Sequence, residues 1–139
     1  MQKWWRRLRI VLFVCVENSF RSQIAEAYFN SLAPKGWRAL SAGIRPAVKV
    51  HPTAVKLMAE EGIDISNNRP RLLTKELQES AELAVIVCSG SECPVVYVRY
   101  VEEWSVPDPS SMTIEEARKV RDEIRERVYK LIDRLRNNF

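Results

Sequence analysis

The chain has 139 residues, 46% of them apolar and 29% charged, with a net charge of +4. That composition suits a single globular domain over 1–139, and no apolar run approaches the ~20 residues of a membrane span. The mild positive balance fits an anionic ligand better than nucleic acid. An odd count of three cysteines argues against a secreted disulfide scaffold, so a cytoplasmic setting is expected.

Residues 1–7, with Trp4, Trp5, Arg6 and Arg7, form a basic aromatic leader. It reads as a lead-in to the first strand rather than a binding arm or signal peptide, because no small-residue cleavage site follows. Ile10 to Val14 is apolar and β-branched, which predicts a strand buried on both faces, and Cys15 ends it. Residues 16–20 are loop-like and Arg21 closes the loop. Ser22 opens a helix with Ile24, Ala25, Tyr28, Phe29 and Leu32 on one face. After a break at Ala33-Pro34-Lys35-Gly36, Trp37 to Ser41 predicts a second strand, ended by Ala42-Gly43. His51-Pro52-Thr53 leads into a helix that Gly62 stops, and the lone His51 reads as a cap or surface residue.

Residues 63–71 are irregular, and Thr74 to Ser80 is a short helix. Leu83 to Val87 is a second apolar strand ending at Cys88. Beyond a loop at 89–94, Val95, Val96, Val98 and Val101 predict a strand continuing towards Trp104. Residues 106–111 are turn-rich. A long helix from Thr113 to about Arg136 starts with a Thr113–Glu116 capping box, and Glu115–Lys119 and Glu126–Lys130 are candidate exposed pairs. Strands alternating with helices imply an α/β fold. The expected form is a three-layer sandwich, a four-stranded parallel sheet with right-handed crossovers and helices on both faces. Ligands in such sheets bind beyond the carboxyl ends of the strands, where strand order reverses, and Cys15 and Cys88 both sit at such ends.

The segment from Cys15 to Ser22 has the chemistry of a site. Amide groups of a short loop entering a helix converge on one point, and the helix N-terminus adds positive potential there. Arg21 can grip two oxygens of an anion, and the same field favours the Cys15 thiolate. Val16, Glu17, Asn18, Ser19, Phe20, Arg21 and Ser22 would then cradle a tetrahedral oxyanion beside a sulfur nucleophile. The competing structural reading is a buried strand-end cysteine with a capping arginine. The strand before and helix after the motif favour the site. Three cysteines and a distant His51 do not show metal-ligand spacing, so neither a metal nor a cofactor is expected.

CVENSFRSQIAEA, residues 15–27, resembles the phosphate-binding loop of the low-molecular-weight protein tyrosine phosphatases and of the thioredoxin-coupled arsenate reductases that share their fold. Cys15, Asn18, Arg21, Ser22, Ala25 and Glu26 match the pattern. Glu17 stands where glycine is usual, and Phe20 stands where many members have a second cysteine. A carboxylate at the loop mouth would repel a dianion unless it points away. The likeness extends to SAG at 41–43, GIDIS at 62–66, the strand ending in Cys88 and Asp108-Pro109, nearly the whole chain.

The resemblance implies Asp108 as the general acid, held between Pro107 and Pro109. It implies that Cys88 and Cys93 form a redox relay with Cys15, although their spacing is shorter than the family commonly has. It also implies a potassium site on Asn18, Glu26 and Ser41 in some reductases. Here Arg71 replaces the aspartate ligand, so no potassium is expected.

The leading expectation is therefore an arsenate reductase that exports its disulfide to a thioredoxin-like reductant. The alternative is a phosphatase acting on phosphoproteins or small aryl phosphates through Cys15, Arg21 and Asp108 alone. The third is a non-catalytic oxyanion or redox sensor. No membrane or nucleic-acid partner is expected.

Overall fold

The computed structural model describes residues 8–138. The basic aromatic leader at 1–7 and Phe139 lie outside the described residues. Strand β1 spans Arg9–Cys15, α1 Arg21–Ser31, β2 Trp37–Gly43, α2 Pro52–Ala59, α3 Lys75–Ser80, β3 Leu83–Cys88, β4 Tyr100–Ser105 and α4 Ile114–Asn138. The four strands form one sheet in the order β2-β1-β3-β4, and every neighbouring pair is parallel. Strand order reverses between β1 and β3, so the carboxyl ends of those strands frame the crevice where such sheets bind ligands.

Strand alternation sorts the core into two layers. Val11 and Phe13 of β1, with Val85 and Val87 of β3, face the side covered by α1, α2 and α4. Leu12 and Val14, with Ala84, Ile86 and Cys88, face the other side, covered by α3 and the chain after β3. Phe13 packs against Phe29 at 6.1 Å and Trp104 at 5.7 Å between ring centroids. Full burial of an aromatic of this kind contributes about 1.5–3 kcal/mol.

The helices carry the expected local signals. Thr113 and Glu116 form the capping box, with Glu116 N–H donating to Thr113 Oγ1 at 3.2 Å and Thr113 N–H to Glu116 Oε1 at 3.0 Å. His51 caps α2, its Nδ1 accepting from Thr53 N–H at 3.1 Å. Positive φ at Gly62 (74°) lets the chain leave the turn after α2. A charge cluster ties α2 to α4: Arg118 and Arg121 both donate to Glu60, and Arg125 and the Tyr28 hydroxyl both donate to Glu61.

Three expectations are corrected. Strand β4 begins at Tyr100 rather than Val95. A parallel neighbour of β3 requires the chain to return to the opposite end of the sheet first, and residues 89–99 make that return. The run still alternates like a strand, with Val96 buried and Val95 and Tyr97 exposed. It packs across the sheet face and not within the ladder, so its apolar pattern was read correctly as extended chain and wrongly as sheet. Leu32 is half exposed, because α1 ends at Ser31 and Leu32 turns out of its stripe. On α4 the exposed i,i+4 pair is Glu123–Arg127 at 3.0 Å, and Arg125 takes Glu126 at 3.6 Å. Among the described residues the Glu115–Lys119 and Glu126–Lys130 pairs do not close.

No helix among the described residues is long and apolar enough to cross a membrane.

Candidate active site

Cys15 is the last residue of β1, paired across the sheet with Gly43 of β2. The loop after it leaves the sheet at once, and Gly43 permits this. A Cβ on Gly43 would lie 2.5 Å from Val16 O and 2.9 Å from Asn18 N. The loop therefore rests directly on the backbone of β2, a contact that only glycine allows. Asn18 adopts φ 53°, the left-handed region that asparagine tolerates better than most side chains.

The buried Asn18 side chain organises the loop. Its Oδ1 accepts from Arg71 N–H at 2.8 Å and from Gln23 Nε2 at 3.3 Å, and its Nδ2 donates to Ser22 Oγ at 2.7 Å. The Ser22 hydroxyl also shares a hydrogen bond with Cys15 Sγ, 2.8 Å away. Asn18 N–H also aims at Cys15 Sγ, at 3.2 Å. Two polar groups thus converge on the one sulfur. Among the described residues, the N–H groups of Glu17, Ser19, Phe20 and Arg21 find no backbone acceptor. Unpaired amides on a loop leading into a helix make an anion nest.

Arg21, the first residue of α1, is nearly buried. Its guanidinium donates to Val106 O at 2.8 Å, which fixes its plane and leaves other N–H groups for a ligand. Val106 N–H in turn donates to Cys88 O at 3.2 Å. Val106 thus joins α1, the end of β3 and the Pro107-Asp108-Pro109 segment. Asp108 Oδ1 accepts from Ser110 N–H at 3.0 Å, a local turn that holds the carboxylate.

Cys15, Arg21 and Asp108 line a single cavity of about 370 Å³, together with Val16, Glu17, Ser19 and Phe20 of the loop. Asn18 and Ser22 are fully buried and brace the cavity from behind. Glu17 is solvent-exposed at its rim. Phe20 is buried and packs on the His51 ring at 5.0 Å, so an aromatic contact fills the place of a second loop cysteine.

Cys88 and Cys93 are joined as a disulfide with Cα atoms 5.7 Å apart, and Cys15 is the free cysteine. The shortened segment therefore closes. Strand parity separates the two sulfur groups, however. Cys15 follows Val11 and Phe13 onto the α1 side, whereas Cys88 belongs to the layer under α3.

Glu26 accepts a short hydrogen bond from Ser41 Oγ. Burial pushes its carboxyl above the usual range, against that hydrogen bond and the charges of Arg71 and Arg38.

The family model for low molecular weight phosphotyrosine protein phosphatase matches residues 10–139. The chain belongs to that family. It is 36% identical over 120 residues to arsenate reductase 2 of Staphylococcus haemolyticus (strain JCSC1435), a match covering 84% of this chain and 91% of that one. Among solved structures it resembles an arsenate reductase from Archaeoglobus fulgidus DSM 4304, with TM-score 0.77, 37% identity and coverage of 88% and 98%. It resembles the low molecular weight protein tyrosine phosphatase from T. tengcongensis equally closely in fold, with TM-score 0.77, 30% identity and coverage of 91% and 99%. Both kinds of relative are cysteine-dependent enzymes.

Several residues in or behind this phosphatase-family cavity have contacts that the sequence does not show. Gly43 shows in the sequence as a strand end and within the SAG stretch at 41–43, with no sign of its contact with the loop. The contacts of Gln23, Val106, Arg45 and Glu92 are not legible in the sequence, because each has a partner from a distant part of the chain. Gln23 Nε2 donates to Asn18 O at 3.1 Å and to Arg69 O at 3.4 Å, bracing the loop against the irregular 66–71 segment.

Proposed function

We propose that this protein is an arsenate reductase of the three-thiol type. The pairing of Cys88 with Cys93 beside a cavity that holds the remaining thiol carries this reading. Cys15 thiolate attacks the arsenic of arsenate, and an oxygen leaves as water after Asp108 protonates it. Arg21 and the loop amides hold the remaining oxygens. Cys88 thiolate then attacks Cys15 Sγ. The sulfur–arsenic bond breaks, its electron pair stays on arsenic, and arsenite departs. Cys93 thiolate attacks Cys88 Sγ and releases Cys15, so two electrons have passed from two thiols to arsenic. A thioredoxin-like dithiol would restore Cys88 and Cys93.

The likeness to reductases over most of the chain supports this reading. A second reading rests on the separation of Cys88 from Cys15 across the sheet. A phosphatase needs only Cys15, Arg21 and Asp108, and some aryl phosphate hydrolysis is expected in either case. The sensor reading has no observation of its own.

The deciding measurement is a single turnover of fully reduced protein with arsenate and no donor. One arsenite per chain with loss of two thiols, mapped to Cys88 and Cys93, is the expected result. No arsenite, with aryl phosphate hydrolysis that stops in Cys15→Ser, would leave the phosphatase reading standing.

A further inference from the structure

The cavity holds a second guanidinium that the proposed chemistry leaves unused. Arg45 lines it together with Arg21, and Glu92 lines it beside Arg45. The two are paired, with Arg45 Nη2 at 2.6 Å from Glu92 Oε1, and their side chains are 65% and 69% exposed. Their backbones are held in different ways. Arg45 N–H donates to Val16 O at 2.9 Å, next to the contact of Gly43 with the loop. Arg45 is thus fixed to the oxyanion loop itself. Glu92 sits in the segment closed by the Cys88–Cys93 bond, one residue before Cys93 and after a turn through Gly90 at φ 87°. Its position depends on that bond.

We propose that Arg45 is a second oxyanion-binding cation of the cavity, and that Glu92 withdraws it while the Cys88–Cys93 disulfide is intact. Two guanidinium groups and the carboxylates of Glu17, Glu92 and Asp108 line the oxidised cavity. Glu92 neutralises Arg45 there, so an entering dianion meets one net positive charge fewer. Reduction by a dithiol breaks the sulfur–sulfur bond. Two electrons and two protons pass to Cys88 and Cys93, and the donor becomes the disulfide. Residues 89–92 lose their covalent tie, Glu92 is released, and Arg45 stays on the loop facing the ligand. The cavity then binds an oxyanion more tightly when the relay thiols are ready. The pair is solvent-exposed and hence weak, which lets a redox change break it and keeps the effect modest. This inference rests on the reading of the cavity as an oxyanion site.

The test uses inorganic phosphate as the probe, titrated calorimetrically at low, fixed ionic strength. Both redox forms of a Cys15→Ser chain are compared, so that no turnover intervenes. The reduced form is expected to bind about 3–10-fold more tightly than the oxidised form. Adding Glu92→Gln should bring the ratio of the two affinities to about one, and Arg45→Gln should weaken phosphate binding by the reduced form. Cys88→Ser with Cys93→Ser should bind as the reduced form does. Linkage requires the reciprocal effect: a fivefold ratio corresponds to saturating phosphate raising the disulfide potential by about 20 mV. Equal affinities in the two redox forms, or a ratio that survives Glu92→Gln, would overturn the gate and leave the oxyanion site intact. No phosphate binding in either form would overturn both.

Discussion

At the scale of single residues, the site depends on two positions that touch no substrate. Gly43 is one. A methyl group there meets backbone, not a flexible side chain, so the loop at 16–18 must move. Displacing a reacting group by about 1 Å costs roughly a hundredfold in rate. Gly43→Ala is therefore expected to lower aryl phosphate turnover by about that factor while the chain still melts cooperatively. An unchanged rate would show that the loop yields without cost. Asn18 is the other. Asn18→Ala leaves Arg71 N–H without its acceptor and the Ser22 hydroxyl, a partner of Cys15 Sγ, without the Asn18 donor. Loss of a buried partner costs about 1–3 kcal/mol, which a denaturant midpoint would register alongside a fall in kcat. Neither role is visible in a sequence, because each is defined by an atom contributed from another element.

At the scale of elements, α2 and α4 are joined by charge as well as by packing. Hydrogen bonds from Arg118 and Arg121 hold the Glu60 carboxyl down to about 2, from an ordinary 4.5. The unfolded chain takes up that proton first as pH falls. The contribution of Glu60 is thus complete above about 4.5 and is lost as pH falls from there towards 2. Melting temperature measured against pH should drop through this window, and Glu60→Gln should flatten the drop. Identical acid profiles for the two chains would show that the Glu60 contacts add nothing to the α2–α4 junction. The helices themselves were legible in advance, since α1 and α4 show their apolar stripe at helical spacing and α4 its capping box. The partners of Arg118, Arg121 and Arg125 were not, because long charged side chains choose among several neighbours once the helices have docked.

Across the whole molecule, the sheet divides the chemistry. Cys15 lies on the α1 side and Cys88 on the α3 side, so the proposed relay requires the segment after β3 to leave its place. Cys93→Ser protects this step from its own completion. Given arsenate, that chain should release one arsenite and stall with Cys15 bonded to Cys88. Amide hydrogen exchange over 89–99 should then be faster than in the oxidised parent chain. Arsenite release without a Cys15–Cys88 bond would mean that a thiol from outside the chain completes the reduction.

The sequence by itself determined the strand–helix alternation, the strand–loop–helix around Cys15 and the family to which the chain belongs. These are local matters of apolar period, turn residues and a contiguous motif. Tertiary structure decided the rest. It placed 95–99 across the sheet face, because parallel pairing of β3 and β4 requires a return run. It made Gly43 a support of the loop and Val106 a partner of Arg21, because β2 and the chain after β4 close on the loop. It set Arg45 against Glu92 and Cys88 away from Cys15, because strand parity and the closure of 88–93 fix where those side chains point.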